Sequence, residues 1–257
     1  MNDTFRLTRC RAQALFVAMF VVLFQPVALA MTPSNLFFSS GPQAALEIAI
    51  RADDGLGIAR AVAQGASVNA RGKFDITPLM VAVDAQSLGA VQALLLAGAL
   101  PNAVAHDGNG PVSLAVRSCR ATPHGREIML SVFRGGGNPD TRQPDGDPVV
   151  MRFVLDHDST GLRLMKSLGA NLDILDRGGD PLVTKVAMAQ DWDMVWALIE
   201  LGVAVDYEHG RSRQPLSLAL KGRYPAPDSP LYPYKLKVWH FLKDKGMALP
   251  PMDRPAP

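Results

Sequence analysis

Cysteine is close to absent from this chain of 257 residues: Cys10 and Cys119 are the only two. Cys10 lies in an N-terminal stretch that reads as a cleavable export signal. Arg6, Arg9 and Arg11 precede an apolar run from Ala12 to Phe24, Pro26 breaks the run, and Ala28-Leu29-Ala30 offers small residues where a signal peptidase reads. With residues 1–30 removed, Cys119 stands alone, an internal disulfide is excluded, and stability must come from packing. Long hydrophobic runs are missing too. Ala12–Phe24 is shorter than the roughly 20 residues of a membrane-spanning helix, which argues against an uncleaved anchor and against stable membrane insertion. No twin arginine precedes the run, and Cys10 is too far from the cleavage site for lipid attachment. An excess of one charge is also lacking. The formal net charge is +2, and loss of Arg6, Arg9, Arg11 and Asp3 brings it to zero, so nucleic acid is not an expected partner.

The usual signatures of catalysis are missing as well. There is no G-x-S-x-G elbow, no H-E-x-x-H and no phosphate-binding loop ending in Gly-Lys-Ser/Thr. Gly55-Leu56-Gly57 is faintly dinucleotide-like, but no strand precedes it. Asp156-His157-Asp158 is the one run of metal-ligand types, without the further ligands a metal site needs. No catalytic residue, metal or cofactor is expected, and the chain reads as a non-enzyme. A metal-dependent enzyme built on Asp156, His157 and Asp158 is the reading from the other class.

What is present is a repeat. An apolar helical stretch, a glycine, then Asn or Asp four residues on recurs at Gly65–Asn69, Gly98–Asn102, Gly136–Asp140, Gly169–Asp173 and Gly202–Asp206. These glycines step by 33, 38, 33 and 33, and a degenerate copy begins at Gly246. A second phrase centres on Pro78, Pro111, Pro148, Pro181 and Pro215, stepping by 33, 37, 33 and 34. Thr77-Pro78, Asp147-Pro148 and Asp180-Pro181 read as helix starts, a capping oxygen followed by a residue whose missing N–H costs nothing there. Each glycine reads as a helix end, where the chain turns left-handed. His106-Asp107-Gly108-Asn109, Pro144-Asp145-Gly146 and Asp176-Arg177-Gly178-Gly179 read as turn tips between the two phrases.

This unit resembles the ankyrin repeat. Ile76-Thr77-Pro78-Leu79-Met80-Val81-Ala82-Val83 and Val91 through Ala99, with the Leu94-Leu95 pair and Gly98-Ala99, match the family's T-P-L-x-x-A, leucine pair and G-A. The resemblance covers about residues 41–250 and implies an all-α solenoid of about six helix-turn-helix repeats with β-turn tips. The expected organisation is signal peptide 1–30, linker 31–40, repeats 41–250 and a disordered tail 251–257. The family's histidine after T-P-L is replaced by Met80, Ser113, Val150, Val183 and Ser217, which implies a softer stack or other ties between repeats. The first repeat reads as a terminal cap with one polar face. Extra residues lengthen the third repeat around Cys119–Pro123 and the sixth at Tyr224–Tyr234, where four prolines preclude a helix.

The resemblance implies partner binding through tips and inner helices. Arg71, Lys73, His106, Arg142, Arg177, His209, Arg211 and Arg213 place positive or potentially positive charge in every tip. They read as a ladder facing an acidic partner, or as a solvated edge, since Asp75, Asp107, Asp145, Asp176 and Glu208 interleave with them. Tyr224, Tyr232 and Tyr234 either offer rigid aromatic contact area or cover the last repeat's open edge. Trp192, Trp196 and Trp239 are expected in packing, and Cys119 as an incidental thiol. A composition poor in lysine and rich in Ala, Arg, Gly and Pro points to a GC-rich bacterium, hence to the periplasm, with secretion as the alternative. The resemblance then implies a monomeric module gripping one protein: a secreted effector it neutralises, as immunity proteins beside type VI effectors do, or a periplasmic enzyme it supports, as catalase-associated ankyrin proteins do. A secreted effector acting in a host is the third use.

Overall fold

The computed structural model describes residues 36–206, 216–221, 225 and 228–251. The export signal, His209, Arg211, Arg213, Tyr224 and the tail beyond 251 lie outside them. The repeats belong to one compact unit, Phe37–Pro257.

Among the described residues six helix pairs follow one another, as the period requires: α1 (Gly41–Arg51) with α2 (Gly55–Ala63), α3 (Pro78–Asp84) with α4 (Leu88–Leu96), α5 (Pro111–Ser118) with α6 (Gly125–Arg134), α7 (Met151–Leu155) with α8 (Ser159–Ser167), α9 (Leu182–Met188) with α10 (Trp192–Glu200), and α11 (Leu216–Ala219) with α12 (Tyr232–Asp244). Inner helices pack on inner and outer on outer: α1 on α3 on α5, α2 on α4 on α6, and α8 on α10 on α12. No helix is long enough to hide its own apolar side, so one continuous core runs from Phe38 through Leu94, Ile128, Phe153 and Trp192 to Leu242. Among the described residues there is no strand; the tips carry two isolated bridges, Arg142 to Pro148 and Leu175 to Pro181.

The recurring glycines end the outer helices with φ from 77° to 98° at Gly65, Gly98, Gly136, Gly169, Gly202 and Gly246. A Cβ there would meet nothing within 4 Å, so the requirement is backbone conformation and not space. Four residues after the first four of them, the side chains of Asn69, Asn102, Asp140 and Asp173 reach the next repeat. Asn69 Oδ1 accepts from Leu100 N at 2.8 Å while its Nδ2 donates to Gly98 C=O at 2.9 Å. Asn102 does the same with Asn138 N and Gly136 C=O. Asp140 and Asp173, having no donor, accept from Asn171 N at 2.8 Å and Ala204 N at 2.9 Å. Gln43 stands in for the first rung, exchanging two bonds of 3.0 Å with the Ser67 backbone.

A second set of ties runs along the inner-to-outer turns, which place non-glycine residues in left-handed conformation: Asp53, Gln86, His157 and Gln190. Asp53 Oδ1 accepts from Ala90 N at 2.6 Å, Gln86 meets Ser118 and Thr122, His157 meets Asp191, and Gln190 Nε2 donates to Ala219 C=O. Two of the residues in place of the family histidine bond within their own repeat: Met80 Sδ accepts from Thr77 N, and Ser113 Oγ accepts from Gly110 N at 2.9 Å and donates to Gly110 C=O. Ties between repeats other than that histidine are thus present.

Three expectations need correction. Thr77 caps α3, its Oγ1 accepting from Met80 N at 3.3 Å, but Asp147 and Asp180 do not cap. Pro181 itself is the N-cap of α9, and α7 begins only at Met151. Pro148 and Pro181 stand one residue closer to their glycine than Pro78 and Pro111 do, which the unequal steps of 38 and 37 already record. The first repeat's outward face is not polar: Ala45, Ile48, Ala49, Ala52 and Ala61 line a hollow of about 350 Å³ rimmed by Asp54, Arg60 and Gln64. The small residues follow the core register of inner repeats, where Ala82 and Leu94, one period on, are buried. In the sixth repeat, Tyr232, Pro233 and Tyr234 form the first turn of α12 instead of a loop, since proline is tolerated where no helical partner is needed. The end of the expected linker is also held in place: Phe38 is buried and its N–H donates to the buried Glu47, which Arg51 pairs at 2.8 Å.

Candidate interaction surface

The tips form a row on the inner-helix side, and the structure puts Arg71, Lys73, His106, Arg142 and Arg177 there, all exposed. They do not make a free positive ladder. Arg71 donates to the carbonyl of Val104, one period on, at 2.8 Å and lies 4.0 Å from Asp75. Arg142 repeats this with Leu175 C=O at 3.1 Å and also holds Gly146 C=O at 2.7 Å. Arg177 sits 3.8 Å from Asp145 and 3.9 Å from Asp147, and Asp147 Oδ1 accepts from Arg177 N. Each arginine thus stitches adjacent tips while its surface remains open to a partner. Asp176, in the same tip as Arg177, is buried. Burial works to raise its pKa, yet the Lys185 ammonium at 2.6 Å and the Asp180 and Gly178 amides outweigh it and hold the carboxyl below its usual range.

Beside the tips lies a groove of about 180 Å³ that sequence reasoning missed. Phe37, Ile76, Met80, Val81 and Leu114 give it an apolar floor, and Asp84, Asp107, Asn109 and Arg117 a polar rim. Hydrogen bonds from Asn109 depress the Asp107 pKa, so that rim charge is permanent at neutral pH. Met80 at the site of the family histidine was the available signal.

Tyr232 and Tyr234 belong to a different face. Tyr234 lies on the outer-helix side with His157, Arg163, Trp196 and Lys237 around a groove of about 280 Å³. Lys237 Nζ stands over both the Tyr234 ring (5.2 Å) and the Trp196 ring (5.6 Å), and Trp196 meets Phe241 edge-on at 6.2 Å. Trp192 is fully buried and Trp239 Nε1 donates to Pro250 C=O, so all three tryptophans pack as expected.

Asp156, His157 and Asp158 occupy the α7–α8 connection and turn to separate partners. Asp156 pairs Arg152 at 2.9 Å, His157 Nδ1 meets Asp191 at 3.0 Å, and Asp158 caps Gly161 N at 2.7 Å while pairing Arg126. Among the described residues no three His, Cys, Asp or Glu side chains stand where they could hold a metal ion. Asp191 is itself displaced. Burial first, then the hydrogen bond and charge of Asp193, push its pKa up to about 6 against the opposing His157. Cys119 closes α5, buried, with its thiol pKa raised by desolvation, the opposite of a reactive cysteine. Among the described residues no helix is long and apolar enough to cross a membrane.

No family model and no curated relative matches the chain. Among solved structures it is similar to an ankyrin repeat domain from Acinetobacter baumannii AYE, with a TM-score of 0.61 and 17% identity over 77% of this chain and 97% of that one. At that identity the likeness concerns the fold alone, and the fold is the ankyrin repeat.

Proposed function

We propose that this ankyrin-repeat stack is a periplasmic protein-binding module that grips one specific partner through its tips and the adjoining inner-helix groove. One observation carries the reading: the tips are stitched to one another by Arg71, Arg142 and the Asp147–Arg177 bond, so a row of exposed side chains is held in fixed register. A pre-ordered row loses little entropy on binding, which is what a specific grip needs. The periplasmic address rests on the export-signal reading of residues 1–30. Neutralising a secreted effector of the type VI kind is the use we place first; support of a catalase-like enzyme or action in a host is what the test would reveal instead. The tagged, exported protein is cross-linked in the periplasm of its own cells and its adducts identified by mass spectrometry. One dominant protein partner is expected, and an effector among the adducts supports immunity. Absence of any protein adduct across growth conditions counts against the proposal.

A further inference from the structure

The tip of the second repeat departs from the others in its backbone. Six residues after the ladder Asn or Asp, the later tips turn on glycine with positive φ: Gly108, Gly146 and Gly179. The second repeat puts Asp75 there at φ 61°, and the residue before it, Phe74, is also left-handed at φ 58°, ψ 25°. No other described tip has two left-handed residues in succession. Both conformations are disfavoured for side-chain-bearing residues, most of all for a bulky one. Phe74 gains no burial in exchange, being 71% exposed.

The strained turn is held from several sides. Lys73 N donates to Phe37 C=O at 2.9 Å, Gly72 N to Ile76 C=O at 2.9 Å, and His106 N to Phe74 C=O at 2.9 Å. Gly72 permits the closeness, since a Cβ there would come 2.7 Å from the Phe37 oxygen. Phe37 and Ile76, bonded to this tip, line the apolar groove, so ring and groove share one support. With Arg71 engaged by Val104 and Asp75, Lys73 is left as the charge at this tip without an ion pair among the described residues. Strain that the surroundings enforce, spent on exposing a ring, marks a functional position.

From this we infer that Phe74 is the anchor of the interaction surface, inserting into an apolar pocket of a folded partner protein that carries a carboxylate at the pocket edge to meet Lys73. The inference rests on the binding reading above and names its partner's chemistry. A rigid aromatic anchor placed in a pocket is the usual form of an interface hot spot.

The test places the photo-cross-linker p-benzoylphenylalanine at position 74 of the full chain in its own cells, with separate placements at 106 and 142 on other tips and at 96, where Leu96 is 90% exposed on an outer helix. We expect an adduct from 74 whose partner peptide is apolar and borders Asp or Glu. Against that purified partner, Phe74→Ala should weaken binding at least tenfold and Leu96→Ala should not. Independently of any partner, the pair Phe74→Gly with Asp75→Gly should raise the Tm of the free protein; a fall or no change would overturn the strain argument. Adducts from 106 and 142 but none from 74 would remove the anchor and leave the binding function standing. Adducts from no tip position would sink both. A contact site without carboxylates would refute the stated partner chemistry.

Discussion

Replacing Asp191 by asparagine should change how stability depends on pH. Asp191 begins α10 but does not cap it; its carboxyl is hydrogen-bonded to Asp193 and lies 3.0 Å from His157 of the preceding repeat. Burial and the neighbouring carboxylate raise its pKa from 3.8 to about 6. The folded chain therefore binds this proton more tightly than the unfolded chain. The associated stabilisation is complete below about pH 4 and is lost as pH rises through about 6. A rise of that size corresponds to roughly 3 kcal/mol, and with the side chain only 15% exposed, little of it is screened away. Asp107, Asp176 and Glu200, whose pKa values are lowered, act below their ordinary values and leave this window clear. The introduced asparagine presents an amide donor to Asp193 as the protonated acid does, whatever the pH. Urea unfolding followed by Trp192 fluorescence at pH 4.5, 5.5, 6.5 and 7.5 measures the effect. Wild type should lose about 2 kcal/mol across the series, the remainder having gone below pH 4.5, and Asp191→Asn should be flatter and the more stable of the two at pH 7.5. Equal slopes for the two proteins would falsify the account of this cluster.

Asn102→Ala breaks both its bonds to the next repeat and should cost about 1–2 kcal/mol in denaturant melts. Asp140→Asn supplies the donor that this rung lacks and should gain up to about 1 kcal/mol in the same measurement. Trp192→Ala empties a fully buried site and should cost about 3–5 kcal/mol, with limited proteolysis cutting first in the last two repeats. Cys119 should resist a chromogenic disulfide reagent at pH 8 until urea unfolds the chain; prompt labelling of the folded protein would contradict its burial.

The architecture was legible because both of its markers are backbone requirements. A left-handed helix end selects glycine and a helix start tolerates proline, so Gly65 to Gly246 report the period directly and Pro78 and Pro111 mark the starts of α3 and α5. The inter-repeat ties at Asp53, Gln86, His157 and Gln190 were not legible, because those left-handed positions carry four residues of three chemistries and share no letter pattern. Asp147 and Asp180 misled for a related reason. Acid before proline is a capping signal only in the correct phase, and Pro148 and Pro181 stand one residue closer to the preceding glycine than Pro78 and Pro111 do. The tip charges were visible and their use was not: a sequence locates Arg71 in a turn but cannot show that its guanidinium ends on Val104, 33 residues away. Phe74 escaped notice because a single exposed aromatic is ordinary until its backbone is seen.

The rungs along the outer helix ends divide the stack unevenly. Asn69 and Asn102 each grip the following repeat with donor and acceptor, whereas Asp140 and Asp173 hold by acceptance alone. An object clasped along the whole row would meet one stiff jaw and one yielding jaw. The N-terminal repeats would fix its position, and the C-terminal repeats would flex to conform to its outline.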